Sequence, residues 1–347
     1  MKEKKKNTII GFSVGDINGV GIEVILKALS DNRILDHITP VIYGSLEVVN
    51  FYKNLIDPIN IHLHKIKSID QLATNKINVI SIWNDDIDIK PGENTSAAGK
   101  CAFQSLEAVT NDLAAAKIDV IVTAPINKKN IQSAQFSFPG HTEYLTSLSN
   151  AEDSLMLMVQ EKLKIGIATN HLPVSSISSS LKKEIILNKI MLMNNSLKVD
   201  FGIPKPKIAV LGLNPHAGES GMIGDEEEKI ILPAIELAKS NNLYVYGPFP
   251  ADGFFGSESF IHFDGVLAMY HDQGLIPFKT IAGGNGVNFT AGLPIVRTSP
   301  DHGTGFDIAG KNKANGSSLR NAIYLATDIY KNRAFSKSIS SNSLNKN

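Results

Sequence analysis

Three histidines stand at equivalent places in this chain. His171 closes the stretch KIGIATNH, His216 closes KIAVLGLNPH, and His271 closes the apolar run in GVLAMYHD. In parallel α/β sheets ligands bind beyond the carboxyl ends of the strands, so three imidazoles from three βα units are expected on one rim. Imidazole is a common ligand for zinc and other borderline divalent ions, and a catalytic site keeps one coordination position open. The plainer alternative is a hydrogen-bonded histidine at each strand end, and this long spacing is less specific than an HExxH pair.

Polar loops surround these histidines. Residues 214–219 (NPHAGE), with Gly221 and Gly224, run into the acidic 225–228, which suits the positive end of a helix dipole. Residues 138–143 (FPGHTE) place His141 and Thr142 just ahead of a short helix. Backbone N–H groups there suit a phosphate or carboxylate, although turn and cap chemistry uses the same residue types. Further on come Asp252 in the proline-stiffened GPFPADG, Lys279 in QGLIPFK and Asn288 in GVNFTAGLP. Arg297, one of only four arginines, lies in the apolar run LPIVRTSP, where a guanidinium serves as an ion-pair partner or an anion clamp. Lys279 and Arg297 together suit a phosphorylated or acidic substrate. No GxGxxG occurs. Residues 305–312 nearly match a P-loop, but Asn312 replaces the Ser/Thr that would hold magnesium and a loop precedes the motif, so a P-loop ATPase is rejected.

Positioning such groups takes strands and helices in alternation. Strands are expected at 8–14, 40–43, 78–83, 119–123, 164–169, 207–213, 243–246 and 265–270, and helices at 21–29, 97–117, 181–198, 225–241 and 317–333. Nearly continuous hydrophobic strands separated by helices imply buried, mostly parallel sheet with helices on both sides, an α/β fold. The 347 residues exceed what one core usually serves, and 43% hydrophobic with 20% charged residues excludes disorder for the bulk. Thirty-four basic residues balance thirty-four acidic ones, which suggests neither a nucleic acid nor a membrane surface as partner. No apolar run approaches the ~20 residues that span a bilayer, and MKEKKKNT leads into a strand without a signal-peptide apolar region. The single Cys101 excludes a disulfide framework and fits a reducing compartment, so a cytoplasmic location is expected. Residues 335–347 are polar, rich in Ser, Asn and Lys, and expected to be a disordered tail.

The motifs carry a family resemblance. HGTGFDIAGK at 302–311 is similar to the nucleotide-binding loop of isopropylmalate and isocitrate dehydrogenases, which bind NAD without GxGxxG. The fuller resemblance is to the 4-hydroxythreonine-4-phosphate dehydrogenase family of pyridoxal phosphate biosynthesis. It runs from Gly15 and Asp16 through TAPINK, FPGHTEYL, TNHLP, NPHAGESG, GPFPAD and MYHDQGLIPFK to RTSPDHGTGFDIAGK. This resemblance implies two α/β/α domains of the isocitrate/isopropylmalate dehydrogenase type, with the active site in the cleft. One domain would comprise 8–127 plus 303–334, and the other 128–302, with the metal site and dimer interface. By the same resemblance His171, His216 and His271 match ligands of one divalent ion (zinc, magnesium or cobalt) shared between the subunits of a homodimer. His141, Thr142, Lys279, Asn288 and Arg297 match substrate-contacting positions, and His302, Gly303, Thr304, Gly305 and Asp307 the NAD or NADP loop. The sequence departs from the family pattern at Ile17 and Ile22, where prolines are usual, and at Gly253, where threonine is common.

The implied reaction is NAD(P)-dependent oxidation of 4-phosphooxy-L-threonine to 2-amino-3-oxo-4-phosphooxybutanoate, which decarboxylates to 3-amino-2-oxopropyl phosphate. Asp252 and Lys279 are the candidates for the base. The nearest alternative is a paralogous dehydrogenase of D-threonate or D-erythronate 4-phosphate. An acyltransferase of similar fold, a zinc hydrolase and a non-catalytic metal-binding protein are further alternatives. The histidine spacing and the HGTGFDIAGK loop argue against the acyltransferase, activity without NAD would mark the zinc hydrolase, and the Lys279, Asn288 and Arg297 cluster would be unexplained in a non-catalytic protein.

Overall fold

A computed structural model describes residues 7–56, 61–83 and 87–341. They divide into two compact units, one up to residue 147 with 295–330, the other 148–294 with 331 onward. The first unit starts with β1 (Thr8–Ser13), α1 (Gly21–Ala28), β2 (Ile38–Gly44), α2 (Leu46–Leu55), β3 (Leu63–Ile66) and β4 (Ile77–Ser81). It continues with α3 (Ser96–Ala114), β5 (Val120–Thr123) and α4 (His141–Leu148). The second contains β6 (Leu155–Gln160), β7 (Leu163–Ile167), α5 (Ile177–Ser180), α6 (Lys183–Val199), β8 (Lys207–Leu211) and α7 (Leu232–Ser240). Then come β9 (Tyr244–Phe249), α8 (Ala251–Gly256), β10 (Gly265–Ala268), α9 (His271–Ala282) and β11 (Val287–Ala291). The chain returns to the first unit with β12 (Arg297–Pro300) and begins α10 (Ser317–Ser341) there.

In the first unit the strand order is β3-β4-β2-β1-β5-β12 and every pairing is parallel. The sequence dictates this arrangement. β2 is buried at all seven positions and β1 at five of six, as strands covered on both faces must be. Parallel neighbours also require crossover connections, which the intervening helices supply. In the second unit the order is β11-β6-β7-β10-β8-β9. β7, β10, β8 and β9 run parallel, while β6 is antiparallel to both β7 and β11. Leu275, Phe278 and Ala282 of α9 and Phe254 of α8 pack on the apolar face made by Met158, Ile165, Ile167, Leu211 and Val266. Burying a side chain of this size contributes roughly 1.5–3 kcal/mol, and this packing holds the start of α9 at the strand ends.

Three expectations need correction. Strands β3, β6 and β11 were not anticipated, because short or Met-rich runs such as LMLMVQ carry no period that separates strand from helix. The expected helix 225–241 contains a π turn at Glu227–Ile231 before α7. The expected disordered tail is helical as far as Ser341. Asn332 and Arg333 fasten it to Asp200, and the hydroxyls of Ser338, Ser340 and Ser341 donate back to carbonyls three or four residues earlier. The rest of that segment, 342–347, and the start of the N-terminal MKEKKKNT lie outside the described residues. Among the described residues no helix is long and apolar enough to cross a membrane.

Gly99 tests this packing. A Cβ there would lie 2.0 Å from the Asn130 carbonyl oxygen, so α3 needs a bare backbone where the segment after β5 crosses it. Replacing a mid-helix glycine by alanine ordinarily gains about 1 kcal/mol, whereas forcing a methyl into a closed contact costs about 1–3 kcal/mol. The clash should win. Gly99→Ala is expected to lower the denaturant midpoint, and a raised midpoint would refute the contact.

Candidate active site

The first unit buries a charge at the head of its sheet. Arg297, 3% exposed, opens β12 beside β5. Its Nε and Nη2 donate to Thr123 Oγ1 at 3.0 and 2.8 Å, and its Nη2 lies 3.3 Å from His141 Nδ1. Burial pulls the guanidinium down to about 10, while the Glu143 carboxylate works the other way. At neutral pH the group is still a cation. His141 opens α4, and its pKa is driven well below the ordinary range, first by burial and then by the charges of Arg297 and Lys128. The imidazole is therefore neutral. Because a guanidinium can only donate, His141 Nδ1 accepts and the proton sits on Nε2. That Nε2 is buried and has no hydrogen-bond partner. A cation next to a directed, unused N–H, at the start of a helix that also carries Thr142, is the chemistry of an anion site.

The second unit gathers two of the three strand-end histidines. His171 follows β7, His271 starts α9 after β10, and the two rings face each other with centroids 5.3 Å apart, tilted by 39°. Asp272 Oδ1 lies 2.8 Å from His271 Nδ1, which holds the proton on Nδ1 and leaves the Nε2 lone pair for a ligand. His216 follows β8, which neighbours β10. It is exposed, but no three His, Cys, Asp or Glu side chains among the described residues are gathered closely enough to hold a metal ion. The donor chemistry fits a divalent cation at the His171–His271 pair, and one chain does not bring His216 to it. Asp252 is exposed in the first turn of α8. Lys279 is exposed on α9, about 12 Å along the axis from His271. Asn288 lies on β11, half-buried, with Oδ1 buried and lacking a hydrogen-bond partner. Gly253 has no heavy atom near the place where a Cβ would be, so nothing steric demands glycine there.

The loop 302–311 is held by the segment that follows β1. Asp16 is fully buried, which pushes its carboxyl pKa up. Its oxygens accept from Asn18 N at 2.9 Å and Asn130 Nδ2 at 2.7 Å. Asn18 in turn binds Lys90 N, Glu93 O and Thr95 Oγ1. The loop so fixed presents Val20 N to Thr304 O at 2.9 Å, and a Cβ on Gly19 would come within 2.8 Å of that same oxygen. Gly305 is left-handed at φ +55°, and His302 Nδ1 lies 2.9 Å from Gly303 O. Asp307 is exposed. In place of the usual prolines, Ile17 and Ile22 are both 1% exposed in the core, and the Tyr52 hydroxyl donates to Ile17 O at 2.5 Å.

Mostly parallel α/β units, one carrying a buried arginine–histidine pair and the other two facing imidazoles, define the class as an α/β enzyme. The sequence model of the pyridoxal phosphate biosynthetic protein PdxA matches residues 36–326. The chain is 47% identical to 4-hydroxythreonine-4-phosphate dehydrogenase of Bacteroides thetaiotaomicron, over 97% of this chain and 93% of that one. It is 36% identical to D-threonate 4-phosphate dehydrogenase of Pectobacterium atrosepticum, over 92% and 99%. The crystal structure of 4-hydroxythreonine-4-phosphate dehydrogenase from Klebsiella pneumoniae matches with a TM-score of 0.82 at 36% identity, covering 95% and 99%. The chain belongs to the PdxA family of pyridoxal phosphate biosynthetic proteins.

Two measurements follow from the Arg297–His141 pair. His141 resists protonation when folded, so the unfolded chain binds a proton that the folded one refuses. Stability is full above the ordinary pKa of 6.5 and is lost as pH falls below it. Between pH 7 and 5 the denaturant midpoint should fall more steeply in the parent than in His141→Gln, by about one proton. Parallel profiles would contradict a neutral buried His141. Arg297→Lys cannot keep two donors on Thr123, and kcat/KM should drop about ten- to a hundredfold with the fold intact. An unchanged kcat/KM would exclude Arg297 as an anion clamp.

Proposed function

We propose that this chain oxidises 4-phosphooxy-L-threonine, using NAD or NADP, to 2-amino-3-oxo-4-phosphooxybutanoate, which loses carbon dioxide to give 3-amino-2-oxopropyl phosphate. The observation that carries the reading is the buried Arg297, beside neutral His141 with its unused Nε2–H: a fixed cation and a fixed donor, as a small phosphorylated acid requires. The 47% identical relative carries the 4-hydroxythreonine-4-phosphate dehydrogenase name, whereas those named for D-threonate 4-phosphate stand at 36–38%. Turnover of D-threonate or D-erythronate 4-phosphate is the second reading, favoured by those relatives.

In this reading Arg297, His141 and Thr142 hold the anionic substrate, and Lys279 and Asn288 add contacts that orient it. The nicotinamide supplies the hydride acceptor, and a divalent cation (zinc, magnesium or cobalt) supplies Lewis acidity. His171 and His271 would hold the cation from one subunit of a homodimer, with His216 from the other. Asp252 or Lys279 takes the hydroxyl proton while the hydride leaves the same carbon. That carbon becomes a ketone β to the carboxylate, so the C–C bond to the carboxylate breaks readily and its electron pair is delocalised as an enolate. His302, Gly303, Thr304, Gly305 and Asp307 would hold the nicotinamide nucleotide.

The deciding assay is reduction of NAD or NADP by zinc-loaded protein with each of the three phosphorylated acids, beside chelated controls. Chelator-sensitive turnover of 4-phosphooxy-L-threonine is expected. Turnover of the sugar acids alone would move the enzyme to the second reading, and no reduction with any of them would overturn both.

A further inference from the structure

The loop that carries His216 is built in an unfavourable backbone conformation. His216, Ala217, Glu219 and Ser220 all have positive φ, between 45° and 55°, and Gly218 and Gly221 extend the run at 83° and 86°. Left-handed residues other than glycine persist only where the surroundings over-determine them. At the root of this loop lies a buried carboxylate. Glu227 is 3% exposed, and its Oε1 accepts from both Leu213 N and Asn214 N at 2.7 Å. Its Oε2 accepts from Asn214 Nδ2 at 2.9 Å. The loop closes around this group so tightly that a Cβ on Gly218 would lie 2.7 Å from Oε2.

Two features show that this arrangement is specific. Glu227 begins the π turn Glu227–Ile231, and the extra residue of such a turn shifts the side chains that precede it around the helix axis. The same amide of Asn214 also donates to Glu226 Oε2 at 2.7 Å, and Glu226 Oε1 accepts from Ser178 Oγ at 2.6 Å. Ser178 lies on α5, seven residues after His171. The loops after β7 and β8 are therefore tied through one acidic pair.

We propose that Glu227 is the positioning residue for His216: its carboxylate, placed by the π turn, gathers the N–H groups of residues 213 and 214 and holds the imidazole-bearing loop in its left-handed form, ready for a divalent cation. The proposal rests on the reading of His216 as a metal ligand, and the test separates the two. Full-length protein stripped of metal is titrated with zinc and with cobalt in the parent, Glu227→Gln and His216→Ala. Amide exchange at residues 213–224 and the denaturant midpoint are followed in the same samples.

In Glu227→Gln, exchange at Leu213 and Asn214 should quicken, zinc affinity should fall about ten- to a hundredfold, and the cobalt spectrum should change. A purely structural role would lower the midpoint and leave affinity and spectrum as in the parent, which overturns the proposal. Unchanged exchange overturns it as well. Should His216→Ala keep parental zinc affinity, the metal assignment falls and the proposal with it, whereas loss in His216→Ala without loss in Glu227→Gln removes the proposal alone. If Glu227→Gln does not accumulate, Glu227→Asp, whose shorter side chain withdraws the carboxylate from the N–H groups of residues 213 and 214, takes its place with the same expected changes.

Discussion

A guanidinium kept in a dry place is the constraint from which the rest of the first unit follows. Removing a charge of this kind from water costs several kcal/mol unless its hydrogens are met. Thr123 and His141 are among the groups that meet those of Arg297. Thr123 is available because β5 ends there, beside the strand that Arg297 opens. His141 is available because α4 begins there. The charge then determines its neighbour's chemistry. Together with burial, which acts more strongly, it keeps His141 neutral, so that the imidazole presents a donor and adds no second charge. A protonated histidine would bind anions too, but only at the cost of a like charge beside the arginine.

The second unit meets a different difficulty. His171 and His216 sit on connections, and connections are the least determined parts of a parallel sheet. The ends of β10 and β8 are each fastened by a polar side chain from the segment that follows. Gln273 of α9 accepts from Met269 N and donates to Gly212 O, bridging the ends of β10 and β8. Glu227 does the same for the loop after β8. Hydrogen bonds to an ionised group contribute about 1.5–3 kcal/mol each, against about 1–2 kcal/mol for each left-handed residue they stabilise. The two quantities are comparable, so the loop conformation depends on its acidic anchor.

Much of this was legible in the sequence. Buried strands announce themselves through β-branched runs, so β1, β2, β4, β5, β7, β8, β9 and β10 and the parallel α/β class could be read directly. The position of histidines just past three such runs was equally plain. Less could be read where composition carries two meanings. LMLMVQ has no period that favours strand over helix, and the string of acids after Gly224 reads as ordinary helix-dipole chemistry. One of those acids, Glu227, is buried at the start of the π turn and accepts from Leu213 and Asn214.

The sequence by itself determined the fold class, the strand-end histidines and the lone arginine in an apolar run, because these depend on local pattern and on residue type. Tertiary structure decided which polar atoms face one another. Arg297 reaches Thr123 and His141 across 174 and 156 residues of chain, and Asp16 reaches Asn130 across 114. It also decided that His171 and His271 meet while His216 joins no group of three among the described residues. The physical reason is that pairing across a sheet follows strand order. In the order β7-β10-β8, residues far apart in the chain become neighbours, and the backbone angles of a short loop then decide where each imidazole stands.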